Sequence, residues 1–189
     1  MTKKIILLVL ALALMLILFS LYNKNQKESD KNTTPITGVH SFSDCVEEGN
    51  PIMESYPRQC RSLDGQLFIE DIGNFLEKTD LIRLDFPFPN QEVSSPLEIT
   101  GHARGSWYFE ASFPVSLLNS KGDIISEGIA TAESDWMTEN FVPFSVALSF
   151  DITKSEKGKT GRLIFKKDNP SGLEEHDDSL EIPVIFSSN

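Results

Sequence analysis

From Leu81 to Phe186, apolar side chains recur at every second position, in short runs separated by residues that favour turns. A period of two marks a strand with one buried face, because successive side chains leave a pleated backbone on opposite sides. Leu97, Ile99 and Gly101 alternate with Glu98, Thr100 and His102. Ser95-Pro96 opens that run, where the missing proline N–H is tolerated. Gly105-Ser106 reads as a turn. After it, Trp107, Phe109 and Ala111 are expected on one face, and Tyr108, Glu110 and Ser112 on the other. Two strands with one apolar face each need a second sheet to cover them.

The remaining runs supply that sheet. Ile82, Leu84, Phe86 and Phe88 form a first strand, which Pro87 makes an edge or breaks partway. The second spans about Leu97–Ala103 and the third Trp107–Leu118, with a kink or edge at Pro114. The others are Ile124–Ala132, Phe141–Phe150, Arg162–Lys167 and Leu180–Phe186. Seven short strands with almost no helical period predict an all-β, immunoglobulin-like β-sandwich over residues 80–189. Its interior is expected to take Ile99, Phe109, Phe144 and Leu163 from four strands, leaving Thr100, Glu110, Ser145 and Arg162 outside. The combination of buried Trp and paired Cys found in antibody domains is not reproduced, since both cysteines lie outside the domain. Trp136-Met137 is read as a plug at one end of the sandwich, with an exposed apolar contact as the alternative.

Ahead of this domain the composition changes twice. Lys3-Lys4 precede Ile5–Tyr22, which holds no charged residue. As a helix this run would span about 27 Å, close to the roughly 30 Å of a bilayer's hydrocarbon. Residues 1–22 therefore read as an uncleaved membrane anchor with a cytoplasmic N-terminus, placing the rest of the chain outside. A cleavable signal peptide is the competing reading, although the run is long for one and its Ala11-Leu12-Ala13 lies mid-run. No cysteine directly follows the run, which argues against lipoprotein attachment. Residues 23–39 are polar, without an apolar period, and read as a flexible tether.

Residues 40–79 hold Cys45 and Cys60, the chain's two cysteines. An exported chain with two cysteines is expected to join them. The loop so closed is worth about 3 kcal/mol by chain entropy. Two widely spaced cysteines do not make a zinc site, and there is no Cys-x-x-Cys for redox work. Gln66–Glu70 reads as a short strand and Asn74–Thr79 as a brief linker. Tyr56-Pro57-Arg58 is a candidate partner contact; the plainer expectation packs Tyr56 beside the disulfide.

The formal charge is -11. Residues 1–39 hold five lysines and two acidic residues, so the remainder carries 12 basic and 26 acidic side chains, a balance of -14. That excludes nucleic acid as an expected partner. His40, His102 and His176 are far apart, and no nucleophile elbow, phosphate loop, dinucleotide fingerprint or His-Glu-x-x-His occurs. No catalytic residue, cofactor or metal ligand is assigned. Glu174-Glu-His-Asp-Asp178 offers the carboxylate oxygens that calcium binds, but it lacks the alternate-ligand and glycine pattern of an EF-hand loop and reads as a solvated loop.

Taken together, Ser95-Pro96-Leu97-x-Ile99-x-Gly101-x-Ala103, Phe109-Glu110, the Gly122 turn, Glu127-Gly128, and Phe144 with Phe150 resemble the immunoglobulin-like domain of bacterial spore-germination proteins. The resemblance covers about Leu81–Phe186. It implies an immunoglobulin-like fold and a binding or assembly module without assigned catalytic residues. The Cys45–Cys60 segment is similar to a short module placed before other domains in bacterial envelope proteins. The expectation is a non-enzymatic, membrane-tethered extracytoplasmic module that meets an envelope protein or glycan. A calcium-dependent adhesion domain and a cell-wall-acting enzyme are the alternatives.

Overall fold

The computed structural model describes residues 38–188, so the expected anchor over 1–22 and the tether as far as residue 37 lie outside the described residues. Among the described residues, no helix is long and apolar enough to cross a membrane. The Ser41 hydroxyl accepts from the Asp44 amide at 3.1 Å and caps a short helix, α1 (Phe42–Glu47). Three strands follow as one small antiparallel sheet: β1 (Ile52–Met53), β2 (Gln59–Arg61) and β3 (Leu67–Ile69). Cys45 of α1 and Cys60 of β2 form a disulfide, as expected, and bury with Phe68 beneath Val39, Phe42 and Val46. A cluster this small supplies little apolar burial, so the cross-link carries much of its stability.

The long alternating runs form β4 (Ile82–Phe86), β5 (Glu92–Val93), β6 (Leu97–Arg104), β7 (Ser112–Leu118), β8 (Ile124–Ala132), β9 (Phe141–Leu148), β10 (Thr160–Lys166) and β11 (Ser179–Phe186). Hydrogen bonds link them in the order β4-β6-β9-β8-β7-β10-β11-β5. β8 runs the length of β7 but meets β9 only at Thr131 and Ala132. The ladder therefore folds over at that corner into two layers, β4-β6-β9 against β8-β7-β10-β11-β5. Phe144 of β9 shows the layers facing each other. Its ring centroid lies 5.0 Å from that of Phe113 on β7 and 6.4 Å from that of Phe165 on β10.

The first strand breaks at Pro87. β4 pairs antiparallel with β6, and after the turn β5 pairs parallel with β11 on the other layer. A proline cannot donate to a ladder, so this is where the chain can leave one sheet for the other. The break corrects one expectation: Phe88 leaves the face of Ile82 and Leu84 and is half exposed. Pro114 sits where it costs little, because β10 pairs with β7 only from Val115 onward.

The interior follows the alternation in β6, β9, β10 and β11. Ile99, Phe144, Leu163, Phe165, Ile182 and Phe186 are all fully buried. Thr100 is exposed, and Ser145 and Arg162 are partly so. Glycines admit the large rings: a Cβ on Gly101 would lie 2.8 Å from Phe144 Cζ, and one on Gly161 would lie 2.5 Å from Phe186 Cζ.

The segment before β7 departs from expectation. Gly105–Trp107 is a 3-10 turn, and the strand begins at Ser112, not at Trp107. Phe109 and Ser112 close a two-residue turn by exchanging N–H···O bonds of 3.0 and 3.1 Å. Glu110 and Ala111 at its tip have φ of 51° and 64°. That left-handed pair matches the twist of a hairpin but resets the faces. Phe109 is 39% exposed and is not an interior residue, whereas Phe113 at 0% is. Trp107 is buried, as its place on the apolar face implied, and the disulfide lies outside the sandwich, so the antibody pairing of a tryptophan with an inter-sheet disulfide is not reproduced. Trp136 packs partly against the core and Met137 is exposed, so only the tryptophan plugs the end.

Candidate functional site

Gly73 carries the chain from the small sheet onto the sandwich. It has a φ of 64°, and a Cβ there would run into the Glu181 carbonyl oxygen. Asn74 then behaves as a neighbouring strand residue for β11. Its Nδ2 donates to Ser179 O at 2.8 Å, its Oδ1 accepts from Glu181 N at 2.7 Å, and its own N–H reaches Glu181 O at 3.2 Å. Further along the same edge, Asn90 N–H donates to Pro183 O at 2.8 Å, and β5 pairs beyond it. The outer edge of β11 is thus covered, which removes a template for strand addition.

Glu70 joins the two parts from the other side. Its carboxylate takes a two-pronged grip from Arg58, Nη2 to Oε1 at 2.6 Å and Nε to Oε2 at 2.9 Å. Asn90 Nδ2, from the β4–β5 turn, donates to the same Oε1 at 3.0 Å. The Arg58 hydrogen bonds hold the Glu70 carboxyl below its usual range, against burial that would raise it. A buried carboxylate shared by an arginine of one part and an amide of the other fixes their relative position. Asp71 adds an exposed pair with Arg162 at 3.2 Å, a minor contribution.

Between the docked parts lies an open cleft of about 730 Å³. Phe42 and Val46 of α1, Ile69 of β3, and Thr160, Pro183 and Ile185 of the sandwich line it, together with Arg58 and Glu70. Ser41, Ser43, Glu47, Asp71 and Asn90 line it as well, so apolar patches alternate with many polar and charged groups, a surface suited to a polar partner. A second exposed feature is an aromatic ridge. Tyr56, Phe75 and Phe88 meet edge to face, with successive centroids 6.4 Å apart. Tyr56 is 54% exposed and leans on Phe75, not on the disulfide, which corrects the packing expected of it. Arg58 is the residue of that tripeptide which enters the cleft.

The histidines do not converge. His40 borders the cleft, His102 Nδ1 lies 3.2 Å from Asp85, and His176 sits on the β10–β11 loop. On that loop Ser171 Oγ is 3.2 Å from His176 Nδ1, but it is also held by Asn169 Oδ1 at 2.5 Å, and all three are side chains of one polar loop. Within Glu174–Asp178, Asp177 accepts from Asn169 at 2.8 Å and Asp178 pairs with Lys78 at 2.6 Å. Among the described residues, no three His, Cys, Asp or Glu side chains are grouped to hold a metal ion. The joint residues Glu70, Asn74 and Asn90 were not singled out from sequence. Their only signals are a carboxylate closing an apolar run and asparagines beside a glycine and a proline.

No curated protein and no solved structure matches the chain. A family model does, over residues 81–171, described as the immunoglobulin-like domain of bacterial spore germination. The matched span begins with the split first strand and ends in the loop before β11, and so includes both layers. Residues 81–171 are thus similar to the immunoglobulin-like domain of bacterial spore germination.

Proposed function

We propose that the protein is a non-enzymatic, membrane-tethered module outside the cytoplasm that binds or assembles with another component of the bacterial cell envelope. The observation that carries this reading is the cleft of about 730 Å³ built jointly by the cysteine part and the sandwich. Two parts locked by Glu70, Asn74 and Asn90 present one preorganised concave surface, which lowers the ordering cost of binding. The family match supports an envelope role. The uncharged run Ile5–Tyr22 behind Lys3-Lys4 supports the tether and the orientation. The disulfide supports an oxidising compartment.

Photo-crosslinking in the native host tests this reading. A photoreactive residue is placed in the cleft at Ile69 or Thr160, or at the exposed Met137 beside Gly105, away from the lining residues. The expected result is one discrete envelope adduct from both cleft positions and none from Met137. Absence of cleft adducts, or the same adduct from Met137, would remove the cleft as the binding surface.

A further inference from the structure

On the outer face of β4-β6-β9, Arg83 lies opposite His102, and Arg104 lies opposite Phe141. Their positions two apart along β6 put both rows on one face. The Arg83 guanidinium carbon is 4.1 Å from the Phe141 ring centroid, and that of Arg104 is 4.2 Å from the same centroid. Each guanidinium is also fixed at its Nε. Arg83 Nε donates to Thr79 O at 2.7 Å and Arg104 Nε to Asp80 O at 3.0 Å. Arg104 Nη1 reaches Glu139 O at 2.9 Å.

The partners of both groups are backbone carbonyls and a ring. Neither arginine forms an ion pair with a described carboxylate, although the domain is strongly acidic. The nearest outward row offers Asp85, which is engaged with His102. Asp80 and Glu139 contribute their main-chain oxygens. Two like charges held against one ring repel each other, and the ring's attraction for each is about 0.5–1 kcal/mol at an exposed site. Both Nη atoms of Arg83 and Nη2 of Arg104 are left without a protein hydrogen bond among the described residues.

We propose that Arg83 and Arg104, clamped on Phe141, form a binding site for a phosphate group. Fixed guanidinium forks match oxyanions in geometry as well as charge. Two forks with three uncommitted nitrogens suit a tetrahedral phosphate with three acceptor oxygens better than a carboxylate with two. The site lies on an open sheet face, so it would take a free phosphate or a phosphate carried on a larger polar molecule.

The test uses the full-length protein in a zwitterionic detergent, following the arginine Nε–H signals during titration with inorganic phosphate, glycerol 3-phosphate and acetate. Saturable shifts of Arg83 and Arg104 by phosphate are expected, with acetate at least tenfold weaker. Arg83→Ala and Arg104→Ala should each weaken phosphate roughly tenfold, equivalent to 1.4 kcal/mol. Phe141→Leu keeps both charges and should also weaken it, whereas a merely electrostatic patch would be unaffected. Tighter binding of glycerol 3-phosphate than of inorganic phosphate would identify an esterified group as the natural ligand, and the reverse order a free ion. Thermal melts confirm that each variant is folded. No saturable shift, equal affinity for acetate, or unchanged affinity in the folded arginine variants would overturn the proposal.

Discussion

Replacing Phe113 and Phe109 in turn by alanine separates the structure from the plain alternation of the sequence. Both aromatics lie at odd positions of the same run, of which Phe109 is the one expected in the interior. In the structure Phe113 is completely buried, with its ring 5.2 Å from Tyr108 and 5.0 Å from Phe144. A buried phenylalanine removes at least ~150 Å² from water, worth ~4 kcal/mol at 25 cal/mol per Å². Measured Phe→Ala losses of about 3–5 kcal/mol agree with that figure. Phe109 keeps 39% of its surface in solvent and sits on a two-residue turn, so its loss should be about 1–2 kcal/mol. Urea unfolding followed by tryptophan emission measures both, since Trp107 is buried in the same core. A gap of about 2 kcal/mol between the variants, at unchanged m-value, is expected. Equal losses, or a larger loss for Phe109, would show that the strand begins at Trp107 and that the described turn is wrong.

Other outcomes follow from the same contacts. Gly101→Ala should destabilise by about 1–3 kcal/mol in urea melts, because its Cβ meets both the Arg83 carbonyl oxygen and the Phe144 ring. Replacing Cys45 and Cys60 by serine should cost about 3 kcal/mol; hydrogen exchange should accelerate in α1 and β1–β3 more than in β6, β9 and β10. Glu70 has a depressed folded pKa, so its stabilisation is full above the unfolded value near 4.5 and is lost as pH falls through the lower folded value. Glu70→Gln should therefore flatten the acid side of the stability–pH curve below about pH 4.5, measured by melts from pH 3 to 7. A slope unchanged from wild type would mean that the Arg58 grip contributes nothing to the joint.

The sandwich was legible in the sequence wherever one face is buried along a whole strand. β6, β9 and β10 keep strict alternation, and β11 departs from it only at the buried Pro183, so their inward residues could be read directly. Pro87 announced its break for a local reason, the missing N–H, although not that the second half would join the opposite layer. The Phe109–Ser112 turn was not legible, because Glu110 and Ala111 are unusual residues for left-handed backbone and carry no glycine signal. The joint was hidden for a different reason. Asn74 and Glu181 meet across 107 positions, and nothing in either neighbourhood encodes that pairing. Surfaces built from distant segments, such as the cleft and the Arg83–Phe141–Arg104 stack, emerge only once the layers are in place.

Co-sedimentation with isolated cell walls and membranes tests the central claim, that the locked joint creates the binding surface. The proteins compared are wild type, Ile69→Glu, which places a charge in the cleft, and Gly73→Ala, which drives a methyl group into the Glu181 carbonyl and pries the parts apart. Wild type should pellet with one envelope fraction without releasing soluble fragments from it. Both variants should lose that binding while the Trp107 emission still reports a folded sandwich. Binding by Gly73→Ala at the wild-type level, or breakdown of the wall by the wild-type protein, would contradict the account.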